Sequence, residues 1–214
     1  MKKKVNISAR ELNDRIAEAT RKSLKNKGIF TVNIIGSPGC GKTSILEYTA
    51  NHFAEKFAVI VGDVKTALDS DRIIRSGHDY AYAIETGGGC HLSAQMIQSK
   101  IEEIDIDNID YLFIENVGNL VCPSTYDLGE NLKIAVLSIP EGDEKVRKYP
   151  ALFLRAEAVL INKVDLLEYM DYDIDRVKAD CLAHNPEVKI FETSAKTGTG
   201  LDEWLAFLKE QKKI

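Results

Sequence analysis

No run of about 18 apolar residues occurs in this 214-residue chain, so it holds no evident helix long enough to span a bilayer. The basic start Met1-Lys2-Lys3-Lys4 is followed by polar and charged residues, which is not the pattern of a signal peptide. Excess positive charge is also missing. The formal net charge is −5, and that argues against a general nucleic-acid-binding surface. Cysteine is sparse, with only Cys40, Cys90, Cys122 and Cys181. A chain of this length in a reducing compartment needs no disulfide framework, so metal binding, catalysis or plain burial remain for the thiols. Internal repeats, low-complexity tracts and linkers are absent too. The expectation is a cytoplasmic protein with no membrane or nucleic-acid partner, built as one domain with a substantial core.

What the sequence does hold is a phosphate loop. Residues 36–43 read Gly36-Ser37-Pro38-Gly39-Cys40-Gly41-Lys42-Thr43, an instance of G-x-x-x-x-G-K-[ST]. Backbone N–H groups at this spacing wrap phosphate oxygens; Lys42 reaches the terminal phosphates and the Thr43 hydroxyl can bind Mg²⁺. A β-branched run leads in from Phe30, and the segment from Ser44 onward reads as the helix leading out. The phosphates would therefore meet a helix N-terminus, where orphan N–H groups and the macrodipole favour negative charge.

Short apolar runs at 30–35, 57–61, 80–84, 110–115, 133–138, 158–162 and 188–192 alternate with segments of helical periodicity. The fold class expected is α/β: a mostly parallel P-loop NTPase sheet of about seven strands, flanked by helices. Residues 8–26 add an N-terminal amphipathic helix, with Leu12, Ile16, Ala19 and Leu24 loosely periodic. The division expected is a helical extension over 1–28 and a P-loop GTPase domain over 29–214.

In such sheets ligands bind beyond the carboxyl ends of the strands, so the residues there carry the chemistry. After 57–61 come Asp63 and Asp69, suited to Mg²⁺ or to orienting an attacking water; an ordinary helix cap explains part of that loop. The run 110–115 ends in Glu115, a Walker-B pattern with Glu in place of the commoner Asp. Gly118, three residues on, can offer its N–H to a γ-phosphate. After 158–162 stands Asn162-Lys163-Val164-Asp165, whose Asp165 carboxylate can accept from N1–H and N2 of guanine. Ser194-Ala195-Lys196 suits contact with guanine O6 through backbone N–H groups. Together, in this order, they make the ligand a guanine nucleotide, GTP or GDP. Lys42, Asp63, Asp69 and Glu115 are the catalytic candidates, with Thr43, Asp63 and Glu115 on Mg²⁺.

Two further segments fall on that sheet edge: Cys90-His91, after Gly87-Gly88-Gly89, and Cys122-Pro123. Two thiols and an imidazole suit Zn²⁺ or Ni²⁺, with a fourth ligand from water, another side chain or a second copy of the chain. The bland alternatives stay open: an incidental Cys-His pair, a second anion-binding turn at the glycines, a packed Cys122. Cys181 reads as a small core residue and Cys40 as incidental within the loop; His52, His78 and His184 read as isolated surface residues.

With these motifs assembled, the chain resembles the HypB family of hydrogenase-maturation GTPases, of the dimer-forming SIMIBI class that includes the urease accessory GTPase. The resemblance runs from about residue 28 to 208. It includes Gly62-Asp63 with Thr66, Asp69 and Arg72, then Thr86-Gly87 through Leu92, residues 113–123, Asp127-Leu128-Gly129-Glu130, Tyr149-Pro150 and residues 162–166. It implies slow GTP hydrolysis coupled to nucleotide-dependent homodimerisation. It also implies Cys90, His91 and Cys122 as nickel or zinc ligands at the dimer interface. A nickel-delivery accessory protein and a hydrogenase large subunit are the implied partners. Residues 1–28 contain no Cys or His, so the tight N-terminal nickel motif of many family members is not expected. An accessory GTPase for another nickel enzyme such as urease, or a regulatory GTP switch with a structural zinc site, are the alternatives.

Overall fold

A computed structural model describes residues 8–63, 68–76, 78 and 80–213; Thr66, quoted in the resemblance, lies outside them. Seven strands form one sheet: β1 (Phe30–Gly36), β2 (Phe57–Asp63), β3 (Ala81–Glu85), β4 (Tyr111–Glu115), β5 (Leu132–Ser138), β6 (Ala158–Asn162) and β7 (Lys189–Glu192). Their order is β3-β2-β4-β1-β5-β6-β7, and every pairing is parallel. The strands lie within two residues of their sequence-derived bounds. Continuous apolar runs suit a sheet covered on both faces, and all of β4 and β5 is buried.

Among the described residues eight α-helices accompany the strands: α1 (Ala9–Asn26), α2 (Lys42–His52), α3 (Leu68–Arg75), α4 (Ala94–Glu103), α5 (Lys145–Lys148), α6 (Pro150–Phe153), α7 (Ile174–His184) and α8 (Leu201–Lys213). Successive strand residues face opposite sides, and the core divides accordingly. Tyr111 and Phe113 of β4 pack with Leu46 of α2 and with Trp204 and Leu208 of α8. Their neighbours Leu112 and Ile114 pack on the other face with Leu24 of α1 and Ile97 of α4. Beyond β1 that second face is completed by Val146, Phe153, Val177 and Cys181, from α5, α6 and α7. Among the described residues no helix is long and apolar enough to cross a membrane.

The inner face of α1 differs from the expected one. Buried are Asn13, Ala17, Thr20 and Leu24, whereas Leu12 is 49% exposed and Ala19 faces solvent. The reason is a polar anchor. Asn13 donates through Nδ2 to Asp127 O (2.9 Å) and accepts at Oδ1 from Ala94 N (2.9 Å), satisfying an orphan N–H at the start of α4. His78 departs from its surface reading as well: it is half-buried, its ring stacked on Phe57 with centroids 3.9 Å apart.

Strand β1 lies between the two halves of the sheet, with β4, β2 and β3 on one side and β5, β6 and β7 on the other. A crevice opens at such a reversal beyond the strand ends. Helices α1, α4 and α7 begin with the side-chain caps Ser8, Ser93 and Asp173. Helix α2 begins after Gly41, at φ +104°, without one. A helix start without a capping side chain suits an anionic ligand.

Candidate nucleotide and metal site

The loop between β1 and α2 is held by its own lysine. Lys42 Nζ donates to Gly36 O (3.4 Å) and Ser37 O (3.3 Å), which fixes the ammonium within the loop. The Cys40 thiol is fully buried in the core, and burial pushes its pKa up to about 11. Cys40 therefore contributes only backbone to the site. A Cβ on Gly41 would lie 2.2 Å from Asn162 Nδ2, so the loop needs glycine there both for its positive φ and for that approach.

A groove of about 540 Å³ runs along this loop, bordered by Pro38, Gly39, residues 41–44, Asp63, Asp69, Arg72 and residues 115–118. The catalytic candidates Lys42, Asp63, Asp69 and Glu115 thus meet in one place. Gly118 packs so closely on the loop that a Cβ would fall 2.7 Å from the Pro38 ring. Thr43 Oγ1 donates to Glu115 Oε1 at 2.9 Å. Among the described residues the buried Oε2 of Glu115 has no hydrogen-bond partner. Burial pushes this carboxyl up to about 7, against the pull of Lys42 and Thr43. A hydroxyl and an under-satisfied buried carboxylate oxygen fit a hard divalent cation such as Mg²⁺. Arg72, to which the sequence assigned no role of its own, binds Glu47 (2.7 Å) and Ser44 (3.2 Å) on α2 through its guanidinium at the groove's rim. A basic residue three positions after Asp69 was the available signal.

A second groove of about 530 Å³ shares Gly41, Ser44 and Lys163 with the first, so the two form one trough. Asn162 joins its halves: Nδ2 donates to Cys40 O (2.9 Å), while Oδ1 accepts from Ala195 N (3.2 Å). Lys163 is the one non-glycine residue with positive φ among those described, at 63°, and its Nζ donates to Gly39 O at 2.6 Å. Asp165 is oriented by Ser194 Oγ at 2.6 Å and has Lys196 Nζ at 3.9 Å. The N–H groups of Ser194 and Ala195 are already engaged, by Thr199 O (3.0 Å) and Asn162 Oδ1. Ser194 is fully buried, while the Lys196 side chain is 80% exposed at the trough. The wall opposite is Tyr48 and His52, stacked at 3.9 Å. Sequence reading missed both; an aromatic pair at i, i+4 on the helix leaving the loop was the only sign. His184 is half-buried near the end of α7.

Beyond β3 and β4 the two sulfur-bearing segments meet. Cys90, His91 and Cys122 place their ligand atoms within 4.8 Å of one another, with Cys90 Sγ 3.5 Å from His91 Nδ1. Cys122 opens the 3₁₀ turn Cys122–Thr125. Asn119 Nδ2 donates to Cys90 O at 3.2 Å, tying the two loops together. A hydrogen bond with Cys122 holds the Cys90 thiol above its usual pKa, and burial lowers that of His91. The His91 ring rests on Tyr126 with centroids 3.9 Å apart. Two thiols and an imidazole at this spacing have the donor character for Ni²⁺ or Zn²⁺.

Comparison with known proteins gives consistent matches over nearly the whole chain. The family model described as "CobW/HypB/UreG, nucleotide-binding domain" matches residues 30–192. Hydrogenase maturation factor HypB of Escherichia coli K12 is 43% identical over 210 residues, which are 97% of this chain and 72% of that protein. Hydrogenase/urease maturation factor HypB of Helicobacter hepaticus is 41% identical over 218 residues, 99% of this chain and 89% of that one. The crystal structure of HypB from Helicobacter pylori in complex with nickel has a TM-score of 0.91 and 41% identity, covering 94% of this chain and 95% of that one.

Proposed function

Because the chain belongs to the CobW/HypB/UreG family of nucleotide-binding proteins, we propose that it is a GTP-hydrolysing metallochaperone that carries nickel for [NiFe]-hydrogenase. The observation that carries this reading is the Cys90–His91–Cys122 cluster, on the sheet edge that also bears the nucleotide trough.

In this reading Asp165, held by Ser194, accepts from N1–H and N2 of guanine, a pattern that adenine does not offer. Lys42 neutralises the terminal phosphates, and the first N–H groups of α2 bind their oxygens. Thr43, Asp63 and Glu115 would hold Mg²⁺, which supplies charge neutralisation for phosphoryl transfer. Asp63 and Asp69 border the same groove and are the candidates for orienting the attacking water. Hydrolysis is slow in this reading: the Arg72 guanidinium is committed to Glu47 and Ser44, which leaves Lys42 and the metal to meet the charge that develops on the γ-phosphate. The loop after Glu115 is shared: Gly118 abuts the phosphate loop, and Cys122 lies four residues on. A loop that orders against the γ-phosphate thereby moves a metal ligand.

Three ligands leave one coordination position for a second copy of the chain, so the working form is a homodimer whose assembly depends on nucleotide and metal. The partners are a nickel-delivery accessory protein and the hydrogenase large subunit, in the cytoplasm, where thiols stay reduced. Delivery to urease is the second reading, favoured by the likeness to the hydrogenase/urease maturation factor of Helicobacter hepaticus; nickel transfer to each purified apo-enzyme separates the two. The central test titrates Ni²⁺ and Zn²⁺ into the protein with GDP or a non-hydrolysable GTP analogue. Metal affinity should differ between the two nucleotide states and collapse in Cys90→Ala and Cys122→Ala. Equal affinity in both states would refute the switch.

A further inference from the structure

Backbone links Glu115 to Cys122, and a buried chain of side chains links the same neighbourhoods by a second route. Asn116, the residue after Glu115, is 1% exposed. Its Oδ1 accepts from Leu92 N at 3.3 Å, immediately after His91, and from Val117 N at 3.0 Å. Its Nδ2 donates to Asn33 Oδ1 at 3.2 Å. Asn33 lies in β1, the strand that feeds the phosphate loop, and its own Nδ2 donates to Glu130 Oε1 at 3.1 Å. That oxygen is 3.2 Å from Lys133 Nζ. Lys133 in turn donates to Ser124 O (3.3 Å) and Tyr126 O (3.1 Å), gripping the turn that Cys122 opens. Tyr126 closes the circuit by packing against His91.

Two asparagines and a Lys–Glu pair are a poor way to stabilise the interior of a parallel sheet. Apolar residues of similar volume would serve stability as well or better. What the network supplies is connection. Its hydrogen-bonding groups are matched, so a shift of residues 115–118 at one end must be followed at the other. Otherwise a buried polar group loses its partner, which is costly in a low-dielectric interior. Both metal-bearing segments are held from this network, at Leu92 and at the Cys122–Thr125 turn.

We propose that Asn116, Asn33, Glu130 and Lys133 are positioning residues that transmit the state of the phosphate groove to Cys90, His91 and Cys122. The proposal rests on the metallochaperone reading above and assigns residues to its switch. None of the four is a metal ligand; Asn116 borders the phosphate groove, whereas Asn33, Glu130 and Lys133 do not and act through the loops they hold.

The test cuts the relay where it grips the turn that Cys122 opens, without altering a metal ligand or a residue of the phosphate groove. Nickel ions are titrated into the full chain, with GDP or a non-hydrolysable GTP analogue, following thiolate-to-nickel charge-transfer absorbance. The quantity read is the ratio of the two nickel dissociation constants. The wild-type ratio should be about fivefold or more, within the usual range of coupling between sites. Lys133→Met should bring it to within about twofold of unity, with nucleotide affinity in the absence of nickel unchanged. Lys133→Arg, which retains charge and donors, should restore part of the ratio. Glu130→Gln removes the partner charge at nearly constant size and serves if Lys133→Met does not fold; it too should lower the ratio. A wild-type ratio in folded Lys133→Met or Glu130→Gln protein overturns the relay and leaves the metallochaperone reading standing. So does an equal loss of nickel affinity in both states, which marks a scaffold only. A ratio of one in the wild type instead refutes the parent reading, and the relay with it.

Discussion

Glu115 concentrates the chemistry of the phosphate groove in one carboxyl group. Burial raises its pKa to about 7 from an ordinary value near 4.5. With both carboxyls protonated, at low pH, the group is neutral to stability. As pH rises from 4.5 to about 7 the unfolded chain releases the proton while the folded chain retains it, so stability falls across that window. Without nucleotide and Mg²⁺, urea denaturation should therefore show the wild type losing stability between pH 4.5 and 7.5. Glu115→Gln keeps an acceptor for Thr43 and should give a clearly shallower fall over the same range. At pH 7.5 the variant should be the more stable by up to roughly 3 kcal/mol. It should also lose Mg²⁺-dependent hydrolysis, which separates a stability gain from a functional loss. A variant curve as steep as the wild type would show that Glu115 is not the titrating group.

Among the elements, α1 shows what hydrophobic patterning misses. Its apolar residues pointed to a face through Leu12 and Ala19, but the helix is seated on Asn13, whose amide serves Asp127 O and Ala94 N. Asn13→Ala strands both backbone groups and should cost about 2–4 kcal/mol, read by chemical denaturation. Leu12→Ala, at a half-exposed position, should stay within about 0.5 kcal/mol. Near-equal effects would mean that the helix is held by its apolar stripe after all. The same distinction explains what could be read in the sequence. The phosphate loop and the Asn162–Asp165 motif are local, because a strand, a turn and a helix start follow within a few residues. Asn33 and Asn116 received no role because they meet each other across 83 residues and Asn33 meets Glu130 across 97; Lys133 has partners within ten residues, but no motif or periodicity marks them. Tyr48 and His52 acquire theirs only when residues 194–196 arrive opposite them.

For the whole molecule, the rule that ligands sit beyond parallel strand ends anticipated that the base, phosphate and thiol segments would share an edge. It could not supply the order β3-β2-β4, which sets the Cys90 and Cys122 loops against each other. Nor could it separate the cysteines by access. Cys40 and Cys181 are fully buried, with pKa values pushed up to about 11 and about 12 by desolvation. Cys90 is exposed and Cys122 half-buried. A thiol-reactive dye at mildly alkaline pH should thus label two cysteines in the native protein and four in denaturant. Bound metal should protect the reactive pair, so counting dye on the intact mass would report occupancy molecule by molecule. A third fast-reacting thiol would signal that the phosphate loop (Cys40) or α7 (Cys181) had come away from the core. With Cys90 and Cys122 as the proposed ligands, the partition of four thiols into two silent and two responsive ones would give this protein a built-in gauge of its own cargo.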